Sequence, residues 1–141
     1  MSLVLDASAV LAWMMDREDA QEAHQALELL SCVQSRLALV PALWLTEVIN
    51  GVIVAERRSL ITTASAAAYL GLLETLPIEL DRKQSALIGS PVLSLARAHN
   101  LTAYDATYLE LALRTNSALA TFDRKLAQAA RAAGVPIFGD S

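Results

Sequence analysis

The stretch Leu3-Val4-Leu5-Asp6, almost at the start of the chain, decides the fold. Three consecutive apolar residues without polar alternation are typical of a short strand that is buried on both faces, as strands of parallel sheets are. The acid that follows would then stand at the carboxyl end of this strand, the edge of an α/β sheet where ligands bind. The sequence therefore predicts a parallel sheet with a functional acid at its carboxyl edge.

Four further short segments, largely apolar, are predicted to be strands. They are Leu37–Val40, Pro77–Leu80, Ala118–Thr121 and Val135–Phe138. The segments between them are rich in alanine and leucine at helical spacing, with only five glycines and four prolines in the whole chain. Strands that alternate with helices predict right-handed crossovers and a mostly parallel sheet between helical layers. We expect one α/β domain, residues 1–141, with about five short strands.

Three helices carry specific expectations. The first is predicted to run from Ala7 to Met15 and the second from about Glu18 to Cys32. A later helix over Ser85–His99 contains the sequence Gly89–Pro91, which predicts that the helix breaks or restarts there.

The composition excludes several classes of protein. Apolar residues make up 55% of the 141 residues and charged residues 18%, which excludes a disordered chain. The 11 basic and 15 acidic residues give a net charge of −4, which excludes a simple basic nucleic-acid binder. The one cysteine cannot form an internal disulfide, so we expect a reducing compartment, the cytoplasm. The apolar surplus predicts a surface that a partner covers.

Membrane association is not expected. The longest apolar run, Leu37–Leu45, has nine residues and contains Pro41, so no segment is long enough to cross a bilayer. The first residues carry no positive charge before the apolar run and meet an acid at once, which argues against a signal peptide.

Four acids are predicted to meet at the carboxyl edge of the sheet. Asp6 and Asp123 follow strand ends, Asp105 opens a helix, and Glu47 lies in the first turns of the helix after the second strand. Taken singly, Asp6 and Asp123 are equally consistent with helix N-caps, and Asp105 with an acid that interacts with a helix dipole. Glu47 differs, because its apolar neighbours predict burial, where an unpaired carboxylate costs free energy.

Together, the acids point to a bound cation. Two carboxylates 4 Å apart repel by about 1 kcal/mol in bulk water and by about 4 kcal/mol near a protein surface. Carboxylate ligands favour Mg²⁺ or Mn²⁺ over zinc, since no cysteines and histidines stand at zinc spacing. Without these four acids the chain has 11 acidic and 11 basic residues, so a bound cation would let a polyanion approach.

Four stretches of sequence carry a family resemblance. They are Val4–Val10, Leu45–Asn50, Leu101–Leu109 and Leu119–Leu126. On these residues the chain resembles the PIN-domain nucleases, and within them the VapC toxins of prokaryotic toxin–antitoxin pairs. Each stretch is a weak signal by itself, but all four occur in the family's order and all four acids match the family's pattern.

The resemblance implies a metal-dependent endoribonuclease with a PIN-like α/β/α sandwich fold. It implies that the four acids hold Mg²⁺ or Mn²⁺ directly or through water. It also implies that Ser8 and Thr121 support the acids by hydrogen bonds, and that Asn50 orients Glu47 or a metal-bound water. The expected reaction is hydrolysis of an RNA phosphodiester by a water whose pKa the cation lowers.

The resemblance further implies two protein partners. One is a VapB-like antitoxin whose C-terminal segment lies in a groove near the acids, and the other is a second copy of the chain in a homodimer. The alternatives are a solitary PIN nuclease without antitoxin, a PIN scaffold without activity, and a phosphotransfer or phosphatase domain. The last is disfavoured, because position 8 is Ser8 rather than a second aspartate.

Other polar residues have simpler interpretations. Tyr108 lies three residues after Asp105 on one helical face, where packing is favoured over contact with a nucleotide. His24 and His99 lie outside the four stretches and are predicted to have surface or helix-end roles. Cys32 is predicted to be a small buried hydrophobe.

Overall fold

The computed structural model describes residues 1–15, 17–83 and 89–140. Its sheet is parallel, with the order β3-β2-β1-β4. The strands are β1 (Leu3–Leu5), β2 (Ala38–Val40), β3 (Ile78–Leu80) and β4 (Ala118–Ala120). The helices in these ranges are α1 (Ala7–Leu11), α2 (Ala20–Val33), α3 (Leu43–Arg57), α4 (Thr63–Thr75), α5 (Gly89–His99), α6 (Ala103–Thr115) and α7 (Arg124–Ala132).

The inner position of β1 explains its uninterrupted apolar sequence. Leu3 pairs with Ala38 of β2 on one side and with Ala118 of β4 on the other, both in parallel. All three residues of β1 are fully buried, as expected for a strand with helices on both faces. The predicted α/β sandwich with a parallel sheet is confirmed.

The sheet has four strands rather than the five predicted. The predicted fifth strand, Val135–Phe138, contributes only an isolated parallel bridge between Ile137 and Leu119. The backbone N–H of Leu119 donates to the Pro136 carbonyl at 2.8 Å, but Pro136 has no N–H of its own to continue the ladder. Gly139 then turns the chain, with φ of 95°. The missing N–H of Pro136 and the turn at Gly139 thus limit the pairing of this segment with β4.

The first helix ends earlier than predicted. α1 stops at Leu11 instead of Met15, and α2 begins at Ala20, capped by Asp19. The indole N–H of Trp13 donates to the Ala26 carbonyl of α2 at 2.8 Å. We attribute the early end of α1 to this contact with α2, which local helix propensity does not encode.

The predicted interruption at Gly89–Pro91 lies at the start of α5. Residues 84–88, where the sequence predicts the beginning of this helix, lie outside the described residues. Pro91 is the third residue of α5 as bounded here. The predicted break or restart of the helix therefore stays a prediction.

Close packing of α1 on α3 brings two parts of the candidate site together. At Gly51 of α3, a Cβ atom would lie 2.5 Å from Cδ1 of Leu11. The absence of a side chain therefore allows α1, whose N-cap is Asp6, to approach the helix that carries Glu47. Among the helices of the described ranges, none combines the length and the apolar character needed to cross a bilayer.

Candidate active site

Asp6 lies at the carboxyl end of β1, at the centre of a hydrogen-bond network. Its Oδ1 accepts from the Ser8 hydroxyl at 2.7 Å and from the Ala9 N–H at 2.8 Å, and its Oδ2 accepts from the Thr121 hydroxyl. The residue is only 4% exposed. Burial raises the pKa of Asp6 to about 6, even though these hydrogen bonds act to lower it. Within the described ranges no basic side chain forms an ion pair with this carboxyl group.

Ser8 and Thr121 connect the residues after β1 with those after β4. Their hydroxyl oxygens lie 3.3 Å apart, and both hydroxyls donate to Asp6. Ser8 Oγ accepts from the Phe122 N–H at 2.9 Å, and Thr121 Oγ1 accepts from the Asp123 N–H at 2.9 Å. The resemblance implies that Ser8 and Thr121 support the acids, and both residues hydrogen-bond to Asp6.

Glu47 is half-buried on α3, and its Oε1 accepts from the Tyr108 hydroxyl of α6 at 2.6 Å. Tyr108 is 1% exposed. Burial, and then its hydrogen bond to Glu47, raise the pKa of Tyr108 far above its usual range, so the phenol stays a donor. The sequence favours packing over nucleotide contact as the role of Tyr108. The structure adds this polar contact, for which the three-residue spacing from Asp105 was the available signal.

Asp105 is half-buried in the first turn of α6, where its N–H donates to Thr102 Oγ1 at 3.1 Å. Burial raises its pKa, and the negative charges of Asp123 and Glu47 raise it further. Asp123 is the N-cap of α7, and its Oδ1 accepts from the Lys125 N–H at 2.9 Å. The N-cap interpretation of Asp123 is therefore correct, and within the described ranges no hydrogen bond engages its Oδ2.

Asp105 links the predicted acids into one electrostatic group. Its charge acts on Asp6, and the charges of Glu47 and Asp123 act on it. These residues come from segments that are distant along the chain, and they gather at the carboxyl edge of the sheet. In residues 1–15, 17–83 and 89–140, however, no three carboxylate, imidazole or thiol groups converge into a finished ligand cage. The site concentrates negative charge, while several of its oxygens hydrogen-bond to the protein.

Asn50 is exposed on α3. No hydrogen bond joins its side chain to Glu47 in the part of the chain that the structure describes, where Tyr108 is the partner of Glu47 instead. The other role that the resemblance implies for Asn50, at a metal-bound water, stays a prediction.

A polar groove of about 300 Å³ leads away from the acids along α7. Its lining includes Thr121 and Asp123 at one end, and Arg124, Gln128 and Arg131 further along the helix. The charge of Lys125, next to Arg124 in sequence, acts to lower the pKa of Asp105. Positive side chains therefore flank the acidic site on the α7 side.

A second, more apolar groove of about 570 Å³ lies among α2, α4 and the residues that follow α1. Its lining includes Trp13, Leu27, Leu60 and Leu72. Leu27 is 66% exposed and Leu60 is 57% exposed, which is unusual for large apolar side chains clustered around one depression.

Known proteins match this chain in sequence and in fold. The PIN-domain family model matches residues 3–132. Ribonuclease VapC3 of Pyrobaculum aerophilum is 33% identical over 128 residues, which cover 91% of this chain and 94% of that protein.

Three solved structures share the fold. PAE2754 from Pyrobaculum aerophilum has a TM-score of 0.65 at 22% identity, over 92% of this chain and 79% of that chain. FitAcB from Neisseria gonorrhoeae has a TM-score of 0.64 at 18% identity, over 97% and 96%. VapC20 from Mycobacterium tuberculosis, a sarcin–ricin loop cleaving toxin, has a TM-score of 0.65 at 16% identity, over 90% and 94%. The family match over most of the chain and the relative at 33% identity confirm the resemblance: the chain belongs to the PIN-domain family, among its VapC-type ribonucleases.

Proposed function

We propose that the protein is a divalent-metal-dependent endoribonuclease and the toxin of a VapBC-type toxin–antitoxin pair. One observation carries the proposal: acids from four distant segments gather around Asp105 at the carboxyl edge of the sheet. The identity with a VapC ribonuclease supports the same activity.

The donor set fits a hard divalent cation. PIN-domain nucleases generally depend on such a metal, and the acids offer oxygen atoms only, the ligands that Mg²⁺ and Mn²⁺ prefer. A buried Asp6 with no ion-pair partner in the described ranges is a carboxylate that a cation would stabilise. Asp6, Glu47, Asp105 and Asp123 would hold the ion directly or through water. Once bound, it would lower the pKa of a water molecule and offset charge on the phosphodiester.

The other residues of the site orient these acids. Ser8 and Thr121 each donate to a different oxygen of Asp6, which restricts its rotation. The N-terminus of α7 restrains Asp123 in the same way, through its Oδ1. Asn50, exposed beside this edge, is proposed to contact a metal-bound water.

The proposed substrate is RNA, held in part by the polar groove along α7. Arg124 lies in this groove and Phe122 supplies an aromatic ring; the acids Glu22 and Asp140 also line it, and Asp140 is paired with Arg131. Phe122 is also stacked by Arg17, whose guanidinium carbon lies 4.8 Å from the ring centroid. A groove with positive and aromatic side chains suits a single strand, whose phosphates and bases contact these two types of group.

The proposed partner is a small VapB-like antitoxin. The apolar groove among α2, α4 and the residues that follow α1 suits a helix with one apolar face, because exposed Leu27 and Leu60 lie on its walls. A second copy of the chain is the other proposed partner, and it would cover the exposed Leu45 and Ile49 of α3. The proposed compartment is the cytoplasm, where RNA and antitoxin are both present.

Cleavage of a single-stranded RNA by the purified protein tests the activity. We expect cleavage in Mg²⁺ or Mn²⁺ and none in EDTA. Asp105→Asn should reduce the rate by at least about 100-fold while leaving the fold intact, because it removes a charge made to face the cation. Asp19→Asn is the matched control, since Asp19 is also an aspartate at a helix start but lies outside the site.

Two results would contradict the proposal. Full-rate cleavage by EDTA-treated protein would exclude the metal mechanism. Mn²⁺ binding without any cleavage would favour a PIN scaffold that has lost its activity.

A further inference from the structure

One residue that contacts the acidic site, Tyr108, is not one of its four acids. Tyr108 lies on α6, three residues after Asp105 and on the same helical face. It is 1% exposed, and its hydroxyl donates to Glu47 Oε1 at 2.6 Å across the interface between α6 and α3. The two residues are 61 positions apart in sequence, so helix packing alone creates the contact.

The same phenol also connects with the segment that follows β1. The backbone N–H of Ala7, directly after Asp6, interacts with the Tyr108 oxygen, and the charge of Asp6 acts on the phenol as well. Tyr108 therefore stands between the first acid and the second. A buried ring has little freedom to turn, so its hydroxyl is a rigid reference point for both.

The hydrogen bond from Tyr108 engages only one of the two carboxylate oxygens of Glu47. Oε1 is engaged by Tyr108. Oε2 accepts no hydrogen bond from any residue in the part of the chain that the structure describes. A hydrogen bond to a carboxylate is short and strong, and here it selects one orientation of a half-buried side chain.

We propose that Tyr108 is a positioning residue of the acidic site: its hydroxyl holds one carboxylate oxygen of Glu47, so that the other faces the position of the divalent cation. This inference rests on the proposed function. A partner that orients a metal ligand typically contributes about 10- to 100-fold to metal affinity, so the effect is measurable without any assay of cleavage.

The test compares Tyr108→Phe with the wild-type protein. Mn²⁺ binding is measured by isothermal titration calorimetry, and Tm is measured in EDTA and in Mn²⁺. We expect Tyr108→Phe to weaken the Kd for Mn²⁺ by about tenfold and to reduce the rise in Tm that Mn²⁺ produces. A purely structural role would lower Tm by the same amount with and without the ion.

Tyr69→Phe is the matched control. Tyr69 is also buried, 6% exposed, and its hydroxyl donates to the Val10 carbonyl at 2.5 Å, which is a backbone contact rather than one to an acid. This variant should lose stability in EDTA and in Mn²⁺ alike, and its Kd for Mn²⁺ should equal that of the wild type.

A measurement on the wild-type protein covers the case in which Tyr108→Phe does not fold. The chain has three tyrosines, so ¹³C labelling at the ring Cζ gives few signals. Titration with Mg²⁺ should shift the Tyr108 signal and leave that of Tyr69 in place. A Tyr108 signal that does not respond to Mg²⁺ would overturn the inference.

The remaining outcomes separate the two proposals. If the wild type binds Mn²⁺ and cleaves RNA, but Tyr108→Phe binds Mn²⁺ within about twofold of it, the positioning role is wrong and the proposed function stands. If the wild type neither binds Mn²⁺ nor cleaves RNA, the proposed function fails and this inference fails with it.

Discussion

Asp6 is a carboxyl group whose charge the folded protein disfavours. It is 4% exposed, and burial outweighs the hydrogen bonds from Ser8, Ala9 and Thr121. Its pKa rises from 3.8 to about 6 as a result. The folded protein therefore binds this proton more tightly than the unfolded chain does, and a cation that replaces the proton would be bound in the same place.

The sign of this shift predicts how pH affects the metal-free protein. The contribution of Asp6 to stability is most favourable below about pH 4 and declines as pH rises through about 6, by about 3 kcal/mol in total. Asn is an equally good helix N-cap, so Asp6→Asn should be more stable than the wild type at pH 7.5 in EDTA. Urea unfolding of both proteins at pH 4.5 and pH 7.5 measures the difference.

The comparison with Asp6→Asn removes the contributions of His24 and His99, which both proteins share. The stabilisation by Asp6→Asn should be larger at pH 7.5 than at pH 4.5. An equal or smaller effect at pH 7.5 would show that the environment of Asp6 does not disfavour its charge.

At the scale of secondary-structure elements, three of the four acids lie at the starts of helices. Asp6 caps α1, Asp123 caps α7, and Asp105 stands in the first turn of α6. The N-cap interpretation and the site interpretation are compatible for Asp123, because a carboxylate has two oxygens and one suffices for the cap. The helix start then fixes where the other oxygen lies.

Arg114 attaches α6 to the end of β3. Its guanidinium donates to Asp81 at 2.5 Å and to Glu110 at 2.6 Å. The acidic side chains are 7% and 6% exposed, and Arg114 forms an ion pair with both, while the charge of Lys83 also acts on Asp81. Because α6 also carries Asp105 and Tyr108, these ion pairs support a helix that contributes to the site.

Arg114→Met should lower the free energy of unfolding at pH 7 by about 3 kcal/mol, because it leaves largely buried acids unpaired. Arg114 holds the pKa of Asp81 below 3.8. The stabilisation is therefore present above that pH and is lost as pH falls through the lowered pKa, so the effect of the variant should shrink in acid. Urea unfolding at pH 7 and pH 3.5 measures both values.

Arg131→Met is the control for this prediction. Arg131 pairs with Asp140 at 2.8 Å, but the side chains are 50% and 45% exposed. Its loss should change stability little, because water screens an exposed pair. Equal effects of the two variants would contradict the assignment of a buried ion pair to Arg114.

For the whole molecule, the net charge of −4 equals the number of acids proposed for the site. These acids lie on or next to β1, α3, α6 and α7, so removing the repulsion among them should stabilise the entire fold. A bound divalent cation is the proposed source of this stabilisation, and it should act on global unfolding rather than on one helix.

Mn²⁺ at 100 times its Kd should stabilise the protein by about 2.7 kcal/mol. For a chain of this length the corresponding rise in Tm is roughly 5–11 °C. Differential scanning fluorimetry with increasing Mn²⁺ measures it, and Asp105→Asn should show a smaller rise. A wild-type Tm that does not respond to Mn²⁺ would count against a site formed by the four acids.

The sequence by itself determined four strands, the helical character of the segments between them and the candidate acids. These follow from short-range patterns: an apolar run before Asp6, helical spacing, and acids placed just after strands. It overestimated the strand number, because the Pro136 N–H that a fifth strand needs does not exist.

Only the tertiary structure decided which side chains meet across elements. Trp13 donates to α2, Arg114 joins α6 to the residue after β3, and Tyr108 rather than Asn50 is the hydrogen-bond partner of Glu47. The physical reason is that periodicity is a short-range pattern, which indicates only the buried face of a helix. The partner of a buried hydroxyl or guanidinium is distant in sequence and depends on how the elements pack against each other.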